Sequence, residues 1–283
     1  MEADITHAPT RLAPRADSAA TSRPSPGAPL LEPAPGGPAE RFAQVVGQGH
    51  PVRVFMTAIL SGYAVLVALS IAFGFLLTKV ILHIPGVQSS DESVNRWLAR
   101  ERTPTLVDLS WIGSTLAGGL VIPVLVGVLL LVFLALRHWR LAAFTLFVIC
   151  VESGTYRATT LVVHRDRPHV DRLESLPVNA SYPSGHTAAS VALLAGLLIL
   201  LASRVERTAL KVPILLVAAL IPAFVLWSRL LRGMHHPTDT AAGLVLGAAA
   251  LLVTVFACRA AGAASGDGDR ARLPATTTGG EPR

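Results

Sequence analysis

Residues 54–82 read VFMTAILSGYAVLVALSIAFGFLLTKVIL, an apolar stretch whose single charge, Lys79, lies near its end. Neither the alternation of a half-buried strand nor the one-sided stripe of a surface helix is present, so a helix here is apolar all round. About 17–25 such residues cross the roughly 30 Å hydrocarbon core of a bilayer. The stretch is therefore read as a membrane span. Outward from it, five more runs have the same character, near 111–136, 141–163, 186–203, 212–228 and 240–258. The fifth is short and contains Pro213 and Pro222, which a packed bundle tolerates. The expected fold is an all-α membrane protein, a bundle of six transmembrane helices.

The composition agrees. Of 283 residues, 52% are apolar and 15% charged, against about 25% charged in soluble domains. The net charge of +6 and pI near 10.1 do not point to nucleic acid. The basic residues stand singly between apolar runs, with no stripe and no interleaved aromatics. Cys150 and Cys258 each lie inside an apolar run, which suits neither a disulfide framework nor a metal site. The first 40 residues hold no apolar h-region, so the first span is expected to act as an uncleaved insertion signal.

Residues 1–50 are rich in Pro, Ala, Gly and Ser and without periodicity, so they are expected to be a disordered tail. Residues 51–259 form the six-span domain and 260–283 a second disordered tail. Arg137 and Arg140 join spans two and three; Arg204, Arg207 and Lys211 join four and five. Cationic short loops stay inside, which puts both termini in the cytoplasm and the opposite ends of the spans outward. The Ala/Arg/Pro/Gly-rich tails suggest a bacterial cytoplasmic membrane. In the first outer loop, Val94, Trp97 and Leu98 have helical spacing, consistent with either a short interfacial helix or a loop packed on the bundle.

Three polar clusters fall at the outer ends of spans three to six: Arg167-Pro168, Tyr182-Pro183-Ser184-Gly185-His186, and Ser228-Arg229 followed by His235 and Asp239. Two cationic forks, two histidines, a carboxylate and a glycine at a helix start suit an oxyanion site. In these residues the sequence resembles the type 2 phosphatidic acid phosphatase superfamily, which shares its catalytic motifs with vanadium haloperoxidases. The family patterns are Lys-x6-Arg-Pro, Pro-Ser-Gly-His and Ser-Arg-x5-His-x3-Asp. The second and third are complete at 183–186 and 228–239, and the first is matched at Arg167-Pro168 only.

The resemblance implies a metal-independent lipid phosphatase that needs no cofactor. Its substrate would be a lipid phosphate of the phosphatidic acid, phosphatidylglycerophosphate or polyprenyl diphosphate kind. His235 is the candidate nucleophile, forming a phosphohistidine. Asp239, one helical turn along, would accept its other ring N–H. His186 would protonate the leaving oxygen and then activate water. Arg167 and Arg229 would grip the phosphate oxygens, with Ser184 and Gly185 opening a helix that caps and cradles the anion. Arg165 and Arg232 are read as solvated loop charges.

Thr160 stands where the family places Lys. His164 at i+4 and Arg157 at i−3 share its helix face, so both are candidate substitutes. Glu152, mid-span, is expected to be either neutral or bonded to Tyr156, as a structural polar tie rather than a catalytic group. Three rival readings remain: a phosphotransferase passing the group to a second acceptor, a non-catalytic lipid-phosphate binder, and a vanadate haloperoxidase. The motifs do not fix the lipid or the oligomeric state.

Overall fold

The computed structural model describes residues 28–175 and 180–266, and among these every regular element is helical. The elements are α1 (Pro38–Val46), α2 (Pro51–Lys79), α3 (Val87–Arg100), α4 (Pro104–Leu116), α5 (Val121–Ala135), α6 (Trp139–Val162), α7 (Gly185–Ala202), α8 (Thr208–Leu231) and α9 (Pro237–Ala264). Five helices, α2, α6, α7, α8 and α9, are long and apolar enough to cross a membrane, and α4 with α5 makes a sixth if the bent pair counts as one span. The chain is a multi-pass membrane protein.

The second run was expected to be one span near 111–136. Instead it begins at Pro104, where Thr103 Oγ1 accepts from the Leu106 amide (3.3 Å), and breaks after Leu116 with a 41° bend. Gly118 and Gly119 lie in the break, and adjacent glycines are poor helix formers that concentrate bending. The fifth run extends past its expected 212–228 limits to Thr208–Leu231, with Pro213 and Pro222 inside an unbroken helix. Helix α7 carries a π-helical stretch at Ser190–Ala195, beginning five residues after its first residue, Gly185.

Helix α9 lies at the centre, packed on α1, α2, α6 and α7, while α5 packs on α6 and α4 on α8. The core gathers Phe55, Ile59 and Leu66 of α2, Phe144, Val148 and Val151 of α6, and Leu246 and Leu251 of α9. Large apolar side chains that face outward, such as Leu69, Leu131 and Leu220, are what a lipid-facing surface requires. Gly243 and Gly247 let α9 approach the start of α7 closely. A Cβ on Gly243 would sit 2.6 Å from the Ser184 carbonyl oxygen, and one on Gly247 would overlap that of Ala188. Small residues four apart are how membrane helices bring backbones together.

The expected tail over 1–50 departs from the structure between residues 28 and 50; residues 1–27 lie outside those described. Leu31 is fully buried, the Arg259 Nε donates to the Leu30 carbonyl (2.8 Å), and α1 sets Ala39 and Ala43 against Ala260 and Ala264. Phe42 meets Phe256 edge-on at 5.5 Å. Composition missed this because the apolar partner surface belongs to α9, not to the segment itself. The second tail was expected from 260, but α9 continues to Ala264; residues 267–283 are outside those described.

Candidate active site

The three polar clusters converge around one loop, residues 232–236, between α8 and α9. Ser228 fixes the end of α8 by donating to the Ser110 carbonyl of α4 (2.5 Å). The start of α7 is tied to the start of α9 by the Ser184 amide, which donates to the Asp239 carbonyl (3.0 Å). Arg167 leaves α6 and donates from Nη1 to the Met234 carbonyl (2.5 Å), which brings its guanidinium beside His235.

His235 is 2% exposed, and its Nδ1 lies 2.6 Å from the Ser181 carbonyl oxygen. A carbonyl only accepts, so Nδ1 carries the proton and Nε2 holds the lone pair. Burial, reinforced by Arg229 and Arg167 and opposed by Asp239, holds the ring's pKa well below the usual histidine range. The imidazole is therefore neutral with Nε2 available. Asn95 Nδ2 of α3 donates to the His235 carbonyl (2.9 Å) and steadies the backbone.

Asp239 does not bond His235 as the spacing suggested. Pro237 opens α9, so His235 lies outside the helix and the one-turn argument does not reach it. Asp239 instead accepts from Ser181 Oγ (2.5 Å), from the His236 amide (2.8 Å) and Nδ1 (3.1 Å), and from Arg165. The same Ser181 that presents its carbonyl to His235 thus anchors its hydroxyl on Asp239. His236 is the N-cap of α9, and its Nε2 meets Glu92 Oε1 at 3.0 Å. Burial pulls its pKa down, but the bonds to Asp239 and Glu92 outweigh that and leave it raised.

Arg229 is fully buried. Its Nη1 donates to Ser114 Oγ and to Glu174 (2.7 Å), while Nε and Nη2 are buried with no hydrogen-bond partner. Arg167, also buried, has its pKa lowered by desolvation and by Arg229. Two guanidiniums close enough to oppose each other, one with two unmet donors, form a site that an oxyanion completes. Glu174 also accepts from Arg232 Nε (2.5 Å); burial raises its pKa, but the arginines and Ser114 outweigh that and bring it to about 2.

Arg165 and Arg232 are not solvated charges. Arg165 pairs with Asp91 (2.5 Å) and Asp239, and Arg232 with Glu174 and the α4 end. The first outer loop forms the helix α3, as one of its two readings held, but the sequence reading missed its polar inward face. Its inward face is Asp91, Asn95 and Leu98 with Glu92, while Trp97 is exposed. The signal was Asp91, Asn95 and Leu98 at i, i+4 and i+7, a polar-to-apolar stripe passed over in favour of Val94 and Trp97.

Ser184 occupies the N-cap position of α7, but its Oγ pairs with Thr187 Oγ1 (2.9 Å) rather than with a backbone amide. Gly185 packs under the Tyr156 ring, where a Cβ would sit 3.1 Å away. At the missing lysine, Thr160 Oγ1 donates to the Arg157 carbonyl (3.0 Å). His164 is exposed beyond the end of α6, so leaning along a helix does not apply to it. Arg157 lines a cavity of about 390 Å³ together with His186, His235, Gly185 and Tyr156. Glu152, on the same cavity wall, bonds Ser153 Oγ (2.8 Å) rather than Tyr156, whose ring turns to Gly185. A second cavity, lined by Trp111, Ser114, Glu174 and Arg232, shares His186, Gly118 and Gly119 with the first.

The profile of the PAP2 superfamily matches residues 137–261. Among solved structures, the chain is similar to a transmembrane PAP2-type phosphatidylglycerolphosphate phosphatase from Bacillus subtilis, at 19% identity and a TM-score of 0.56 over 80% of this chain and 98% of that one. No curated protein gives a significant match.

Proposed function

We propose that the chain, which matches the PAP2 superfamily profile through residues 137–261, is a lipid phosphatase of that superfamily working through a phosphohistidine at His235. The observation that carries this reading is the buried Arg229 fork, with Nε and Nη2 unmet beside a neutral His235 whose Nε2 lone pair is available. The phosphorylated terminus of a membrane lipid supplies the oxygens those donors lack. The Bacillus subtilis neighbour is named for a phosphatidylglycerolphosphate phosphatase, which supports a lipid-borne phosphate.

In the first step His235 Nε2 attacks phosphorus, the bond to the alcohol oxygen breaks, and His186 gives that oxygen its proton. In the second, His186 takes a proton from water, the water oxygen attacks phosphorus, and the P–N bond breaks to release inorganic phosphate. The arriving dianion favours the protonated form of His186. Arg167 and Arg229 stabilise the equatorial oxygens as they gain charge, each such donor being worth about 3–4 kcal/mol of barrier. Asp239 acts on His235 through Ser181. Arginines supply the positive charge, so the reaction is assigned no metal.

Orientation follows from charge. Arg140 approaches Gly262 near the end of α9, so the cationic loops and both described termini share the end remote from His235. Cationic loops face the cytoplasm, which turns the site outward across a bacterial membrane. Arg157 takes the place of the missing lysine, since it shares the cavity of His186 and His235.

The test is phosphate release by the purified protein in detergent with EDTA. The panel holds phosphatidic acid, phosphatidylglycerophosphate and prenyl mono- and diphosphates, with His235→Ala as control. Release that resists EDTA and disappears in the variant is expected. No release from any lipid by folded protein would sink hydrolysis and leave a transferase or a binder.

A further inference from the structure

Glu152 has no role in the chemistry above, yet it lies in the middle of α6 and is 1% exposed. A carboxyl inside a membrane span is costly and is retained for a reason. A structural tie would bond a neighbouring helix. Among the described residues, Glu152 bonds only Ser153, next to it in the chain (2.8 Å). It also lines the cavity of about 390 Å³ that it shares with His186 and His235. Helical rise places Glu152 about 6 Å along α6 from Tyr156, the residue that packs on Gly185. The walls at its level, Ile122, Pro123 and Ile149, are apolar.

A group attached to the phosphate at His235 that extends into this cavity passes the Glu152 carboxyl between walls that are apolar apart from Ser153, Tyr156, Arg157 and the two histidines. A cation gains little there, because Arg157 lines the same space. A neutral hydroxyl gives the carboxyl a hydrogen bond beyond the one from Ser153, whereas a plain hydrocarbon leaves it with Ser153 alone. We propose that Glu152, with Ser153, is a subsite that receives a hydroxyl on the carbon next to the phosphate-bearing carbon of the leaving alcohol. The enzyme would then favour glycerol-type phosphomonoesters with a free neighbouring hydroxyl over prenyl phosphates. The assignment rests on the phosphatase reading above and specifies its substrate class.

Two substrates with the same acyl chain test it: 1-acylglycerol 3-phosphate, and the analogue that lacks only the 2-hydroxyl. For the wild-type protein kcat/KM is expected to favour the hydroxyl compound at least about tenfold. Glu152→Leu should bring the ratio towards one, while Glu152→Gln, which keeps an acceptor, should retain most of it. The ratio is read within one preparation, so partial loss of folded protein cancels, and Glu152→Ala serves where the leucine variant does not fold. A wild-type ratio near one, or a ratio that survives removal of the carboxyl, overturns the subsite alone. No phosphate from either compound, or from any other lipid, overturns the phosphatase reading itself.

Discussion

His235 and His236 are neighbours in the chain and opposites in environment. On the inner side of their loop, His235 faces the arginines and meets one backbone carbonyl, with its pKa pushed down by burial. On the outer side, His236 lies between the carboxylates of Asp239 and Glu92 and has its pKa raised. One peptide bond separates a ring with a free lone pair from a ring with a carboxylate at each nitrogen. The difference comes from what each ring meets: Arg229 of α8 and Arg167 of the segment after α6 lie near the first, while α3 brings Glu92 to the second. A reacting histidine needs a free nitrogen, whereas an anchoring histidine uses both.

Replacing each member tests that division. The largest effect is expected for His235→Ala, which removes the nucleophile and should lower kcat/KM about 10⁴-fold or more in a phosphate-release assay. A loss comparable to that of His236→Ala would erase the distinction. Next is Arg229→Lys. It keeps the charge but loses the fork that leaves Nε and Nη2 for substrate, so kcat/KM should fall about 10²–10³-fold. Near-wild-type turnover would mean that a point charge suffices.

A smaller effect separates the two rings by pH. His236 has a raised folded pKa, so its contribution to stability is complete below the unfolded value of about 6.5 and is lost as pH rises through the raised value. The melting temperature of the wild-type protein in detergent should therefore fall over that alkaline interval, and His236→Gln should flatten the fall. Turnover of the same variant should drop about tenfold, through the Asp239–Ser181 support of His235. His235, with its lowered pKa, stays neutral across this range, so no loss of nucleophile is expected on acidifying to pH 6. Parallel pH profiles in variant and wild type would show that His236 does not hold the loop through its charge.

The sequence showed one side of this comparison better than the other. The membrane spans are visible because an all-round apolar run has few other readings, and Arg167, His186, Arg229 and His235 stand at fixed spacings. The outer shell is not local. Asp91 and Glu92 reach the loop across more than 140 residues of chain, and Ser181 acts through a backbone carbonyl, which no residue type announces. The Asp239 bond was assigned to the wrong ring because Pro237 restarts the helix between them. The Gly118-Gly119 break was hidden by the strength of the apolar signal around it.

The mildest prediction contrasts the loop with the far end of the bundle, where α1 lies on α9. That contact is apolar and small, Phe42 on Phe256 and Ala39 and Ala43 on Ala260 and Ala264. Ala260 is about 30 Å along α9 from Asp239. Phe42 is half-buried, so Phe42→Ala should cost about 1–2 kcal/mol of stability through lost packing. It should leave kcat/KM per folded molecule unchanged, because nothing at this end fixes a reacting group. Thermal unfolding in detergent reads the first quantity and phosphate release the second. A change in turnover above about threefold, clear of the error in a kinetic constant and equal to about 0.65 kcal/mol of barrier, would mean that packing at one end of α9 sets the register of Asp239 at the other. The helix would then transmit strain, and the charge network at the loop would not be self-contained.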